Sequence, residues 1–215
     1  MGPLKGHVPT YLRAHAPVGA TVVDVGAADG IMTTALALAV GPTGAVLAIE
    51  PNPQWHDALA AVVAQYPWVT VVAALAGEAD GTATLRLDGF RSTRWDLTDD
   101  QATVPLWRLD TLLASAALVK IDAQGSESHI LDGAPDLLAS CPCWVLELWP
   151  GGLALAGRTT TQLLAQLTDA GLTVWWLSTS TRPEAGEPLS AADVARWLTP
   201  PIKPTRHVNI VAVRG

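Results

Sequence analysis

Short apolar runs alternate with Ala- and Leu-rich stretches along most of the chain. Thr21 to Val23 is a β-favouring run. Ile31 to Val40 is apolar and rich in Ala and Leu, which predicts a helix. Ala45 to Ile49 reads as a second buried strand, Gln54 to Gln65 as a helix and Val69 to Ala73 as a third strand. Gly81 to Leu109 is the least regular part. Within it, Thr82 to Leu87 alternates polar and apolar like one strand of a hairpin, and Val104 to Leu109 reads as a short strand. Asp110 to Leu113 is a short helical turn, and Ala117 to Asp122 a fourth buried strand closed by a carboxylate. A helix from Glu127 to Ser140, weakened by Pro135, leads to a fifth strand at Trp144 to Leu148. Thr159 to Ala170 is helical with Gly171 as its C-cap, and Thr173 to Leu177 and His207 to Val213 are the last strands. A Pro-rich excursion, Arg182 to Pro204, lies between those two and holds one short helix. Strands alternating with helices predict an α/β fold, a mostly parallel sheet covered on both faces.

Ligands bind at the carboxyl ends of such strands, and several chemistry-bearing residues fall there. After the first strand, Asp24, Gly26 and Gly30 give Asp-x-Gly-x-x-x-Gly, with Ala27 inside the loop. Glycine lets the chain turn sharply and lets a ligand lie against bare backbone. The N–H groups of the next helix then point at whatever the loop holds. No Gly-Lys-Ser/Thr follows, so this is not a P-loop, and Ala28 replaces the second Gly of a dinucleotide site. An early Asp with spaced small residues resembles the first motif of class I S-adenosylmethionine methyltransferases. The competing reading is a tight strand–helix turn with no ligand. Glu50 follows Gly30 by 20 positions, at a strand end where a carboxylate can accept from both ribose hydroxyls of an adenosyl group. Pro51 and Pro53, on either side of the candidate Asn52, end the strand and stiffen the turn beyond it. Small residues around Leu75, after the third strand, leave room for an adenine ring and equally suit a tight turn.

Composition narrows the function classes. The 215 residues make one domain able to bury a large core, 49% hydrophobic and 15% charged. A net charge of −7 with no Lys/Arg cluster argues against a nucleic-acid substrate. Gly30 to Ile49 carries no charge, but Gly41-Pro42-Thr43-Gly44 breaks it, so no membrane span is expected. Cys141 and Cys143 read as reduced core thiols, and a cytoplasmic location is expected. Met1 to Val18, with a short helix near Thr10 to Ala16, has two uses open to it: a cap over the cofactor ahead of a domain spanning 21–215, or an oligomer contact such as a homodimer's. Ser92, Thr93, Arg94 and Trp95, followed by Asp96, Asp99 and Asp100, read equally as an acceptor-binding loop and as a solvated surface excursion.

At the fourth strand a family resemblance becomes specific. Lys120-Ile121-Asp122-Ala123-Gln124-Gly125-Ser126-Glu127, then Ile130-Leu131-Asp132-Gly133-Ala134, resembles the signature of FkbM-type methyltransferases. Asp24 to Gly30, Glu50 to Pro53, Leu109 to Leu112 and Val145 to Glu147 fit the same family. The resemblance implies a Rossmann-like class I fold with a seven-stranded sheet, S-adenosylmethionine as methyl donor, and mostly O-methylation of sugars or other small molecules. Two positions depart from it: Gln124 stands where the family has Glu, and Ala28 where Asn is frequent.

Methyl transfer from a sulfonium needs alignment, and a hydroxyl acceptor needs its proton removed. Asp122 and Glu147 end strands that lie side by side in this topology, and His129 is a third candidate base. No dense His/Cys/Asp cluster marks a metal site, although Asp122, Gln124 and Glu147 offer oxygen atoms to a hard cation such as Mg²⁺. The reading is thus an S-adenosylmethionine-dependent O-methyltransferase. Its rivals are a catalytically silent module of the same fold, which Gln124 keeps open, and an adenosyl-nucleotide-dependent oxidoreductase.

Overall fold

The computed structural model describes residues 8–88, 91–93, 101–177, 187–190, 193 and 207–215. It opens on α1 (Val8–His15), followed by β1 (Thr21–Val25), α2 (Ile31–Val40) and β2 (Ala45–Ile49). A 3-10 turn at Pro53–Trp55 leads into α3 (His56–Gln65), then β3 (Val69–Val72) and β4 (Leu75–Ala76). Next come β5 (Gly81–Asp88), β6 (Arg91–Thr93), β7 (Gln101–Trp107), α4 (Leu109–Leu112) and β8 (Leu118–Ile121). The chain continues through α5 (Glu127–Asp132), α6 (Pro135–Ser140), β9 (Cys143–Leu148), α7 (Pro150–Leu155) and α8 (Thr160–Asp169). It closes on β10 (Leu172–Trp176) and β11 (Val208–Arg214).

The main sheet has seven strands in the order β10-β11-β9-β8-β1-β2-β3. All of its pairs are parallel except the two made by β11. The order reverses between β1 and β8, and such a switch point opens a crevice at the strand ends. β8 and β9 are buried at every position, as expected of strands covered on both faces. Alternation divides the core. Val23, Val25, Ile121 and Leu146 face one layer. Val22, Val46, Leu118, Val145 and Val211 face the other, with α1 and α2. Tyr11 and Leu12 of α1 are fully buried in that second layer, so the N-terminal helix is built into the core.

Two elements differ from the sequence expectations. The described residues between 81 and 107 are more regular than expected: β5 pairs with β6 and β7, and β7 with β4, in a second sheet. The helix expected from Glu127 to Ser140 is two helices, because Pro135 sits in the first turn of α6, where its missing N–H costs nothing. Asp110 caps α6 from outside, its carboxylate accepting from Asp136 N–H (2.9 Å) and Leu137 N–H (3.1 Å). Ser92 and Thr93 lie on β6, while Arg94, Trp95, Asp96, Asp99 and Asp100 fall outside the described residues, as does most of Arg182 to Pro204. Cys141 and Cys143 are free and buried, and burial pushes the Cys141 thiol up to about 11.

Candidate active site

Strand register assembles the site. Val25 pairs with Ile121, and Ile121 with Leu146. The next residues, Gly26, Asp122 and Glu147, therefore stand in one row across the carboxyl end of the sheet. Because β11 runs the other way, its first residues reach the same end, and Asn209 pairs directly with Glu147. A cleft follows this row. Lys120, Asp122, Glu147 and Asn209 line it, with Val8 of α1 and Met32 of α2 on its far side.

Gly26 has φ +74°, and a Cβ placed on it would stand 1.9 Å from the Asp122 carbonyl oxygen. Only glycine fits there. Gly30 has φ +79°, and its Cβ would meet Val62 of α3 at 2.7 Å. The loop between them is strung against β2. Gly26 and Ala27 N–H donate to Ile49 O, and Ala28 N–H donates to Glu50 Oε2 at 2.9 Å. Glu50 Oε1 accepts from Asn52 N–H at 2.8 Å. Asn52 in turn caps the 3-10 turn through Gln54 N–H. Pro51 lies between Glu50 and Asn52 and is half-buried. Burial raises the Glu50 carboxyl above its ordinary value, against the lowering effect of the Asn52 and Ala28 N–H groups.

Asp24 is fully buried beneath the loop and does not face the cleft. One oxygen accepts from Thr33 Oγ1 at 2.6 Å, and the other pairs with Lys120 Nζ at 2.9 Å. Lys120 is buried too. Desolvation alone would lower its pKa, but Asp24, with Asp122 and Glu147, leaves it raised and the ammonium charged.

The carboxylate pair is joined by Gln124. Its Nε2 donates to Asp122 Oδ1 (3.0 Å) and to Glu147 Oε2 (3.1 Å). An ionised Glu could not make these bonds, since it has no proton to donate. Gln124 takes φ +50°, and its loop is held by Glu127, whose Oε1 accepts from Ala123 N–H (3.0 Å) and Gly125 N–H (3.2 Å). The hard-cation arrangement finds no support here. Gln124 turns its nitrogen toward both carboxylates, and no group of three or more His, Cys, Asp or Glu suits a metal ion among the described residues.

Two expected residues are placed elsewhere. His129 sits on α5 with Nε2 3.2 Å from Ala156 O and Nδ1 3.6 Å from Glu78, and it does not line the cleft. Leu75 lies in β4, its side chain packed with Leu85 and Leu106 in the core of the second sheet. Conversely, two residues without a role in the sequence reading reach the site from β11 and the residue before it. Asn209 lines the cleft, and His207 Nε2 lies 3.8 Å from Glu147 Oε1. Their signal was absent because a Val/Ile-rich strand reads alike in either direction.

Glu127 gives a pH prediction. Burial pushes its carboxyl up to about 7 from 4.5, despite its backbone N–H donors. The folded state then keeps a proton that the unfolded chain has released, so stability falls as pH rises through that window. The contribution is fully present below about 4.5 and gone above about 7. Thermal unfolding across this range should show a loss of up to roughly 3 kcal/mol from this group. Glu127→Gln should remove that slope; an unchanged slope would put its source elsewhere.

The family model described as "Methyltransferase FkbM domain" matches residues 24–169. No curated protein matches the sequence. Among solved structures, a putative rRNA-methylase from Clostridium thermocellum is similar at TM-score 0.59 and 13% identity, covering 100% of this chain and 99% of that one. Precorrin-6y C5,15-methyltransferase from Geobacter metallireducens GS-15 is similar at TM-score 0.52 and 16% identity, over 96% and 86% of the two chains. Aeropyrum pernix fibrillarin with bound S-adenosyl-L-methionine is similar at TM-score 0.52 and 13% identity, over 93% and 68%. At these identities the likeness is one of fold.

Proposed function

We propose, for a chain that belongs to the FkbM methyltransferase family, that it transfers a methyl group from S-adenosylmethionine to a hydroxyl of a small molecule, a sugar or a secondary metabolite. One observation carries the reading. A loop whose Gly26 admits no side chain and two carboxylates joined by an amide stand in one row at the sheet's switch point.

The residues present fit the donor. Gly26 lets the loop pack directly against the Asp122 backbone and Gly30 lets it pack against Val62 of α3, which sets the loop at the carboxyl end of the sheet beside Asp122. Glu50 ends β2 with each oxygen accepting one N–H, and a carboxylate oxygen has a second lone pair for a ribose hydroxyl. When bound, the donor supplies a methyl carbon already activated by a positive sulfur. The protein's part is alignment and proton removal. Asp122, next to the loop, accepts the acceptor's hydroxyl proton. Glu147 and Asn209 hold the acceptor in line, Gln124 keeps the carboxylates in register, and Val8 and Met32 exclude water. The acceptor oxygen would gain the methyl carbon as the carbon–sulfur bond breaks, the bonding pair would stay on sulfur and the demethylated donor, S-adenosylhomocysteine, would leave, while the proton passes from Asp122 to solvent.

Carboxylates facing the cleft and a net charge of −7 favour a small neutral or cationic acceptor over a nucleic acid. Among the described residues, no helix is long and apolar enough to cross a membrane. The Gln124 amide, donating to both carboxylates, supports the catalytic reading over a silent module.

The direct test is incubation with methyl-labelled S-adenosylmethionine and a metabolite extract, with products identified by mass spectrometry and NMR. Label on a hydroxyl oxygen of a small molecule is expected; label confined to nitrogen or RNA would reject the reading. Glu50→Ala should weaken donor binding by roughly a hundredfold or more in calorimetry, since two charge-assisted hydrogen bonds vanish at about 1.5–3 kcal/mol each. Unchanged affinity would remove Glu50 from the site.

A further inference from the structure

We infer that Lys120 is a positioning residue for the cofactor loop. Its ammonium group fixes the peptide planes from Val25 to Ala27, and that orientation lets the loop accept the donor. The inference rests on the donor assigned above.

Lys120 stands inside β8, a strand otherwise apolar and buried at every position. A cation there is expensive unless fully paired. Its Nζ has three partners for three protons: Asp24 Oδ1 at 2.9 Å, Gly26 O at 3.0 Å and Val25 O at 3.3 Å. Two of the three are loop carbonyls. In a trans peptide the C=O and the following N–H point opposite ways. With the Val25 and Gly26 carbonyls turned to Lys120, the Gly26 and Ala27 N–H groups are turned to β2. There they donate to Ile49 O at 2.9 and 3.2 Å. The Ala28 N–H continues the series onto Glu50. The loop is thus stretched between a cation on β8 and acceptors on β2.

Asp24 then has a defined part. It is the counter-charge that keeps Lys120 protonated, and it is anchored by Thr33 in the first turn of α2. This explains why the first acidic residue of the glycine motif is buried under the loop. It acts on the donor through Lys120 and the backbone.

Truncating Lys120 alone would strand the Asp24 charge in the core and confuse folding with positioning. The test therefore uses the neutral pair, Asp24→Asn with Lys120→Met, in the full chain. Removing both charges at similar volume leaves the fold intact, read by far-UV circular dichroism and thermal unfolding. The affinity for S-adenosylmethionine, measured by calorimetry, falls by at least about tenfold, because both carbonyls lose a charged donor. Hydrogen exchange of the Gly26 to Gly30 amides quickens without donor present. Wild-type affinity with wild-type exchange would overturn the inference. So would loss of the fold in the neutral pair, since the ion pair would then hold the sheet and not the loop. Wild-type protein that binds no S-adenosylmethionine would sink the donor assignment alone; exchange of the Gly26 to Gly30 amides unchanged in the neutral pair would sink the role of Lys120 whether or not the donor binds.

Discussion

Replacing Gly26 by valine is expected to abolish S-adenosylmethionine binding while far-UV circular dichroism stays close to wild type. The first added carbon would stand 1.9 Å from the Asp122 carbonyl oxygen and 2.9 Å from its carbonyl carbon. Those are backbone atoms, so no rotamer change relieves the clash. The left-handed conformation, φ +74°, adds roughly 1–2 kcal/mol for a residue with a Cβ, and more for a β-branched one. Neither wall yields cheaply. Asp122 N–H donates to Val25 O at 3.0 Å, and Gly26 N–H donates to Ile49 O at 2.9 Å. The loop must therefore leave its place between β8 and β2, which loses the Lys120 and Ile49 ties together. The sheet below it keeps its own ladders, so secondary structure survives. Calorimetry should show affinity lower by on the order of a thousandfold or beyond detection, since a clash and two lost ties exceed 4 kcal/mol together. Normal binding in this variant would mean that the loop is only a turn.

The parts of this site that local sequence reveals are those made by one strand and its own following loop. Thr21 to Val40 shows its strand, glycine turn and helix in order, and Glu50, Asp122 and Glu147 each announce a strand end. Residues whose role depends on a neighbour across the sheet stay hidden. Asp24 reads as a ligand residue until the β1–β8 register sets it opposite Lys120. Asn209 joins the cleft only because β11 is antiparallel. The second sheet is only partly legible: Thr82 to Leu87 and Val104 onward read as strands, and β5 and β7 do pair, but their partners β4 and β6 do not show. β4 has only two residues, and β7, although it alternates between a more buried face (Ala102, Val104, Leu106) and an exposed one, carries Pro105, a residue that argues against a strand. Gln124 looked like a loss of charge in sequence. In space it is a donor between two acceptors, and that depends on the distance from Asp122 to Glu147 across two strands.

Asp122→Asn is expected to lower kcat by roughly 10²–10⁴-fold, the range for losing a general base, with donor affinity preserved. Asp122 is beside the glycine loop through its own carbonyl, and its carboxylate lines the cleft. Asparagine keeps that backbone contact, so the loop and the donor should not notice the change. It cannot take a proton from a hydroxyl. Gln124 Nε2 can still donate to the asparagine oxygen, so the loop geometry also persists. Three outcomes separate the roles this carboxylate can play. A fall in kcat alone assigns proton removal. Weaker donor binding with turnover restored at saturating donor assigns it instead to the amino end of S-adenosylmethionine. Wild-type binding and rate together would show that Asp122 only braces the turn into α5. Glu147→Gln is the companion variant. If Glu147 holds the acceptor while Asp122 takes the proton, that change should raise the acceptor KM more than it lowers kcat. A larger kcat loss for Glu147→Gln than for Asp122→Asn would exchange the two assignments.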